Sequence, residues 1–510
     1  MFPLLHETLE LSADRLPQKT ALICDSRRLT YADIELCANR LANGLHSLGV
    51  RRGDRVVLHL PNCVDLVTGI YGTLKAGGVF VPVNSTIKSE KLSYILRNCG
   101  AACCITTPGG ATALEPLRSQ LPELHSVIVT TGGALGSGSW PGLSYDGLLS
   151  DSPDLRPPRR NIDLDLACLI YTSGSTGDPK GVMSDHSNVT FAVKSITTYL
   201  ENREQDILIG VLPLSFDYGL YQLLMAFSFG GTLVLERGFA YPAEVLQRIQ
   251  QEQVTGFPGV PTVFSVLLSM DLSSYDLSSL RYMTNTAAAL PTSHIEQIRQ
   301  KFPQVRLFSM YGLTETKRCL YLPVEELDRR PGSVGIPIPG TEAWLEDEQG
   351  NRLGRGETGE LVIRGRHVMR GYWGDAQAST ERFRPGPIAG ERVCHTGDVF
   401  RMDSEGYFYF VARKDDIIKS RGEKVSPKEV ENVLYALAGV KEAAVIGVPD
   451  LVLGQAIKAF VATDDSGLTE ARILRHCRER LEDFMVPRQV EVRRDLPKTP
   501  SGKIKKTELH

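Results

Sequence analysis

The sequence predicts an α/β protein with a large N-terminal domain over residues 1–411, built of two α/β sheets plus a β-rich subdomain, and a small α+β C-terminal domain over 412–510. Three observations lead there. Helical and strand patterns alternate through the first third, the mark of largely parallel sheets. Between Pro331 and Asp403 the pattern changes to short strands punctuated by Gly and Pro. And 510 residues are too many for one hydrophobic core, so at least two domains are required.

Taken in order, RRLTYADIELCANRLANGLHSLGV places Thr30 as a helix N-cap, then apolar residues at helical spacing, then Gly49 as a stop. RVVLHLPN is a short β-branched strand. VDLVTGIYGTLKAG, VFVPVN, SEKLSYILRNCG, ACCITT and HSVIVTT continue the helix–strand alternation. The Gly/Ser/Pro-rich interval from Gly132 to Pro158 predicts an exposed connection. LACLIYTSGSTGDPKGV begins as a buried strand and runs into a glycine-rich loop. DSEGYFYF, Asp403 to Phe410, predicts a hairpin, and the segment after Arg413 predicts a polar turn followed by an amphipathic helix.

Bulk properties exclude several classes. With 42% hydrophobic and 23% charged residues the chain is neither disordered nor fibrous. A net charge of −3 offers no basic surplus for nucleic acid. No apolar run is long enough to span a bilayer, and MFPLLHETLELSADRLP lacks the layout of a secretory signal, so a cytoplasmic location is expected. The ten cysteines form no paired C-x-x-C motif; Cys103 and Cys104 read as small buried hydrophobes, and no metal is assigned to cysteine.

The segment Tyr171 to Val182, YTSGSTGDPKGV, combines three glycines with four small hydroxyl residues. Such a loop leaves backbone N–H groups free to wrap an anionic phosphate, and Lys180 adds a point charge. A generic Gly/Ser loop is a surface linker; here the preceding apolar strand and the closing Pro-Lys-Gly favour phosphate binding. It is not a Walker loop, which would end in Gly-Lys-Ser/Thr and open a helix.

This loop resembles the signature of the adenylate-forming superfamily, which contains acyl-CoA synthetases, the adenylation domains of nonribosomal peptide synthetases, and luciferase. YGLTET at Tyr311–Thr316, HTGD at His395–Asp398, RKDDIIKSRGEKVSPKEVE at Arg413–Glu431 and PKTPSGKIKK at Pro497–Lys506 resemble its later motifs, in order and over essentially the whole chain. The resemblance implies ATP-dependent activation of a carboxylic acid as its acyl-AMP, with Mg2+ as cofactor, and transfer of the acyl group to a thiol. Attack on the α-phosphate turns a poor leaving oxygen into a good one, and the enzyme must neutralise charge gathering at phosphorus.

By that resemblance Thr172, Ser173, Gly174, Ser175, Thr176, Gly177 and Lys180 hold phosphates, and Glu315 coordinates magnesium with Thr314 beside it. Tyr311 stacks on adenine, while Ala287 and Ala288 line its other face. Asp398 accepts from both ribose hydroxyls, a role suited to an acceptor-only group. Arg413 contacts ribose or phosphate. Lys503 bridges the substrate carboxylate and the α-phosphate in the first half-reaction. Asp415 is the hinge of a mobile C-terminal domain whose rotation would bring Arg421 and Gly422 to the thiol tunnel. Ala412 departs from the glycine the family often has before the Arg.

The acid is addressed by Phe216-Asp217. Amino-acid-activating members carry Phe-Asp here, the Asp pairing with the substrate ammonium, whereas acyl- and aryl-CoA synthetases carry Phe-His or a similar pair. An ammonium entering an apolar pocket needs a paired anion, so a small amino acid such as proline is expected; Asp217 could instead cap the helix beginning near Tyr218. Tyr218, Tyr221, Pro258, Met283, Asn285, Met310, Arg318 and Cys319 are expected to line the pocket by motif register. Arg318, if inward, invites a second carboxylate; if outward, it is surface charge. As a stand-alone enzyme the chain is expected to load the phosphopantetheine thiol of a separate carrier protein. The alternatives are free CoA with a non-amino acid, or a ligase that stops at the adenylate or uses an amine acceptor.

Overall fold

The computed structural model describes residues 4–130, 142–172, 179–286, 290–420, 423–450, 454–499 and 502–510. Its first sheet has seven strands centred on Arg55–Leu60, flanked by Val79–Asn84 and Ala101–Thr106, all parallel. At one edge Leu166–Thr172 pairs antiparallel with Lys180–Asp185, in the register Thr172 opposite Lys180. The glycine-rich loop therefore joins two strands of a hairpin, whereas a Walker loop would open a helix.

The second sheet runs parallel through Thr232–Leu235, Ile207–Gly210, Gly256–Gly259, Tyr282–Asn285 and Arg306–Tyr311. It continues through antiparallel Leu320–Tyr321 and Ser333–Pro337 into the strands Phe408–Arg413, Arg392–Met402, Thr358–Gly365 and Thr341–Glu346. This extension is the β-rich subdomain predicted from Pro331 onward. A third, five-stranded sheet lies wholly after residue 417 and packs on the helices Pro427–Tyr435 and Glu470–Arg478.

The helix Val64–Lys75 shows why the first two sheets share one core. Among its residues only Asp65 lies outside the buried set, so it is apolar nearly all round rather than amphipathic. Gly72 permits the approach of the capped helix Tyr31–Ser47: a Cβ there would fall 2.7 Å from Leu41 Cδ2. Lys75 ends the helix inside the protein, paired with Glu10 and, at 2.9 Å, with Glu35, which also accepts from Arg156 at 2.9 Å. An ammonium so placed is tolerable only with such partners.

Thr30 is the N-cap as expected, in a reciprocal box with Asp33, and Gly49 takes a positive φ of 89°. The Gly132–Pro158 interval departs from expectation. Its described part contains the helix Tyr145–Asp151, capped by Ser144, with Tyr145 buried and its hydroxyl 2.6 Å from Thr68 Oγ1. Leu148 packs over Gly44, a contact no local composition reveals. All ten cysteines are unpaired, with Cys103 and Cys104 fully buried. Among the described residues no helix is long and apolar enough to cross a membrane.

The third sheet's layer meets the helices Pro261–Ser269 and Thr292–Lys301 through hydroxyl-to-carbonyl bonds: Thr262 donates to Gly502 (3.3 Å), Ser265 to Lys441 (3.1 Å) and Ser293 to Tyr435 (3.4 Å).

Removing the Lys75 ammonium while leaving Glu10 and Glu35 buried should cost ~3–5 kcal/mol. Urea unfolding of Lys75→Ala should show a clearly lower midpoint, whereas Arg52→Ala, which breaks the surface pair with Asp165, should leave it nearly unchanged. Equal effects would mean that the buried pair is not a stabilising contact.

Candidate active site

The strands Gly256–Gly259, Tyr282–Asn285 and Arg306–Tyr311 end side by side, and in open parallel sheets ligands gather at such carboxyl ends. After Tyr311 the chain reverses within eight residues to pair Tyr311 with Leu320. The reversal is tight: a Cβ on Gly312 would lie 1.9 Å from the Lys317 carbonyl oxygen. Lys317 itself holds a positive φ of 59°, a left-handed conformation that non-glycine residues adopt at a cost of ~1–3 kcal/mol and that persists only where surroundings enforce it.

Tyr311 Oη donates to Asp398 Oδ2 at 2.6 Å, and its ring meets Phe400 edge-on. Burial raises the Asp398 carboxyl above the usual aspartate range, against the opposing bond from Tyr311 and the charge of Arg413, whose Nε lies 3.6 Å from Oδ1. Oδ1 is buried without a hydrogen bond among the described residues. An orphaned acceptor of this kind is a place for a hydroxyl donor.

Glu315 is buried beneath the same reversal and accepts from Tyr372 Oη at 2.6 Å. Arg382 Nε donates to that Tyr372 oxygen (3.3 Å) and its Nη1 to the His395 carbonyl (2.9 Å), so Glu315 is held by a chain of groups from the β-rich subdomain. Lys180, closing the glycine-rich loop, stands 5.3 Å from the Tyr372 ring and 3.7 Å from Asp375 Oδ2. Glu315 and Lys180 thus share one neighbour. Thr172 bonds back to the Lys180 carbonyl, and Thr314 is half-buried beside Glu315. Among the described residues no three His, Cys, Asp or Glu side chains cluster as a metal cage. One carboxylate with phosphates and water is how Mg2+ is commonly held, so Glu315 fits as its single protein ligand.

Lys503 reaches this cleft from the C-terminal layer. Its side chain keeps contact with solvent, yet protein on both sides lowers its pKa from the usual lysine value by loss of hydration; Arg413 adds to the lowering, while Asp398 and Glu315 oppose it.

Asp217 opens the helix Asp217–Phe229, but as its first residue rather than its cap, which is Phe216. Its carboxylate is ion-paired, although neither oxygen has a hydrogen bond among the described residues. Lys317 Nζ lies 2.9 Å from Oδ1 and Arg318 Nη1 3.6 Å from Oδ2, and both cations are buried. Lys317 also donates to Ser184 Oγ at 3.1 Å, and the Arg318 guanidinium lies 4.7 Å over the Tyr218 ring. This removes the basis for pairing Asp217 with a substrate ammonium: the position is taken by the chain's own cations, and a further ammonium would meet net positive charge. Arg318 is buried, so it is not the surface charge that was one of the sequence's alternatives.

The remaining pocket expectations divide. Tyr218 donates to Thr284, Asn285 to the Gly259 carbonyl, and Met310 accepts from Tyr199 at 2.9 Å, all at the strand ends. Pro258, Met283 and Tyr221 are buried among them. Cys319 is a correction: it points to the opposite side from Arg318, bonds Thr316, and lies with Leu320 and Val334 in the core of the β-rich subdomain. Asp415 is exposed in a turn after Arg413. Ser173, Gly174, Ser175, Thr176, Gly177, Ala287, Ala288, Arg421 and Gly422 lie outside the described residues.

The sequence profile of the AMP-binding enzyme family matches residues 9–373, and that of the AMP-binding enzyme C-terminal domain matches residues 429–503. The chain belongs to the AMP-binding enzyme family. As a member it is an adenylate-forming ligase that uses ATP, an AMP-forming acid–thiol ligase. It is 32% identical to a long-chain-fatty-acid–CoA ligase of Bacillus subtilis (strain 168), over 99% of this chain and 95% of that one. It is 35% identical to a feruloyl-CoA synthase of Amycolatopsis sp, over 97% and 96% of the two chains. Its fold is similar to that of the anthranilate CoA ligase AuaEII in complex with anthranoyl-AMP, with a TM-score of 0.92, 31% identity, and coverage of 100% and 96%. All three are named for CoA, and none of them for a carrier protein.

Tyr372, Arg382 and Lys317 were not expected from sequence. The run Thr316-Lys317-Arg318 beside YGLTE was the available signal, but a lysine in a polar run reads as surface unless its partner, 100 residues away, is known.

Tyr372→Phe removes a bond to a charged group worth ~1.5–3 kcal/mol. The variant should fold normally, lose about 10- to 100-fold in ATP–pyrophosphate exchange, and need more Mg2+ for half-maximal rate. An unchanged Mg2+ requirement would mean that Tyr372 does not position Glu315.

Proposed function

We propose that this chain is a CoA ligase for a compact carboxylic acid without an α-ammonium group. The observation that carries this reading is the Asp217–Lys317–Arg318 cluster, which leaves no unpaired anion where an amino acid's ammonium would sit. The family members compared with it, named for fatty, feruloyl and anthranilate substrates, support the same acceptor and the same absence of an α-amino acid.

In this reading Lys180 and the preceding loop hold phosphates, Glu315 takes Mg2+, Tyr311 packs on adenine, and the orphaned Asp398 oxygen accepts from ribose. Lys503 neutralises charge between the incoming carboxylate and the α-phosphate. That role belongs to adenylation alone. Residues 412–510 then form the unit that pivots near Asp415 for the thioester step, with Arg421 and Gly422 entering in place of Lys503.

With ATP, Mg2+ and CoA, a panel of short fatty, aryl, hydroxycinnamic and dicarboxylic acids should yield CoA thioesters by mass spectrometry, while the amino acids stay at background. Lys503→Ala should lower pyrophosphate exchange by about 100-fold or more yet alter thioester formation from supplied acyl-AMP only a few-fold. Exchange confined to one amino acid, with thioester appearing only on a phosphopantetheinylated carrier, would overturn the reading.

A further inference from the structure

We propose that Arg318 selects acids carrying a second anionic oxygen group, in the simplest case a dicarboxylate; this rests on the CoA-ligase reading and names its substrate class. The argument begins with charge. Lys317 and Arg318 face a single carboxylate, Asp217, and the closer contact, 2.9 Å against 3.6 Å, belongs to Lys317. No other carboxylate among the described residues lies within ion-pair distance of Arg318. The cluster is therefore one positive charge in excess, with Arg318 only 4% exposed.

Hydrogen bonding points the same way. Among the described residues the Arg318 guanidinium donates only to the Lys317 carbonyl, at 3.3 Å, leaving most of its N–H groups without an acceptor. The Tyr221 hydroxyl, one turn after Asp217 on the same helix face, is buried without a partner, and so is the Ser215 hydroxyl just before the helix. Both Asp217 oxygens also lack a hydrogen bond, so what the cluster has in excess is charge, two cations to one carboxylate. A hydrocarbon tail would leave the surplus charge unmatched and an ammonium would be repelled; an anionic oxygen group matches the charge and accepts from the guanidinium. Tyr218 fixes the guanidinium from the opposite face at 4.7 Å, so the geometry is set before substrate arrives.

The reacting carboxylate is also an anion, and Arg318 acting on it would lower activity toward every acid alike. The test separates the two. CoA-thioester formation would be measured as kcat/KM for matched pairs, succinate with its monomethyl ester, glutarate with its monomethyl ester, and terephthalate with benzoate, using wild type, Arg318→Met and Arg318→Lys. The wild type should favour the dianion of at least one pair by about 10-fold or more. Arg318→Met should bring that pair to near equality through the dianion alone, and Arg318→Lys should keep part of the preference. Equal loss on both members in Arg318→Met, or no dianion preference in the wild type, overturns the inference while leaving the CoA reading intact. If Arg318→Met does not fold, an undiminished dianion preference in Arg318→Lys overturns it. Thioester absent from every pair, with exchange seen on an α-amino acid, overturns the CoA reading itself.

Discussion

The arrangement of the site depends on one steric constraint, the reversal of the chain between Tyr311 and Leu320. On one side lies the last parallel strand of the second sheet; on the other begins the antiparallel subdomain that supplies Asp398, Tyr372 and Arg382. The reversal closes only because Gly312 has no Cβ to meet the Lys317 carbonyl and because Lys317 accepts a left-handed backbone. That strain is balanced by what the loop gains: Glu315 bonded to Tyr372, Lys317 buried against Asp217 and Ser184, and Arg318 against Tyr218. One loop thereby sets the positions of Glu315 and of the Lys317 and Arg318 cations, so the two cannot shift independently.

Electrostatics then divides the cleft. Near Asp398 and Glu315 the buried groups are acceptors, one of them orphaned, and Lys503 and Arg413 are the cations held against them. Near Asp217 the balance reverses, with two cations to one anion. In the proposed reading a nucleotide would bring hydroxyl donors to the first region and phosphates to its cations, and an acid would meet the second region tail first. The same side-chain chemistry is used twice with opposite sign, and the sign decides what each half can receive.

Much of this was legible in the sequence because it is local. The Thr30 cap, the helix–strand alternation and the hairpin after Asp403 are set by neighbours within a few residues. The motifs placed Asp398, Glu315, Lys503 and Lys180 in one cleft because their order along the chain carried the resemblance. What failed was long-range. The helix Tyr145–Asp151 exists because Tyr145 and Leu148 find Thr68 and Gly44, not because its composition favours a helix. Asp217 reads as a free anion until Lys317, distant in sequence, is found against it. Cys319 and Arg318 are adjacent in the chain, and only tertiary structure shows that the first lies in the β-rich core while the second packs on Tyr218.

The contacts that carry Lys503 into the cleft bear on how a single site could serve two half-reactions. Among the described residues the C-terminal layer meets the helices Pro261–Ser269 and Thr292–Lys301 through hydroxyls donating to carbonyls, with His294 edge-on to Tyr435. Each such bond exchanges for one to water at a net cost of ~0.5–1.5 kcal/mol. Interfaces of this polar kind permit relative motion of the units they join. The contrast with the first two sheets, locked through a helix buried nearly all round and a lysine paired inside the core, is one of energetic scale. The proposed reading, in which Lys503 first neutralises a phosphate and then leaves that position to a thiol, requires one interface that breaks at little cost, and the polar contacts around Thr262, Ser265 and Ser293 have that character.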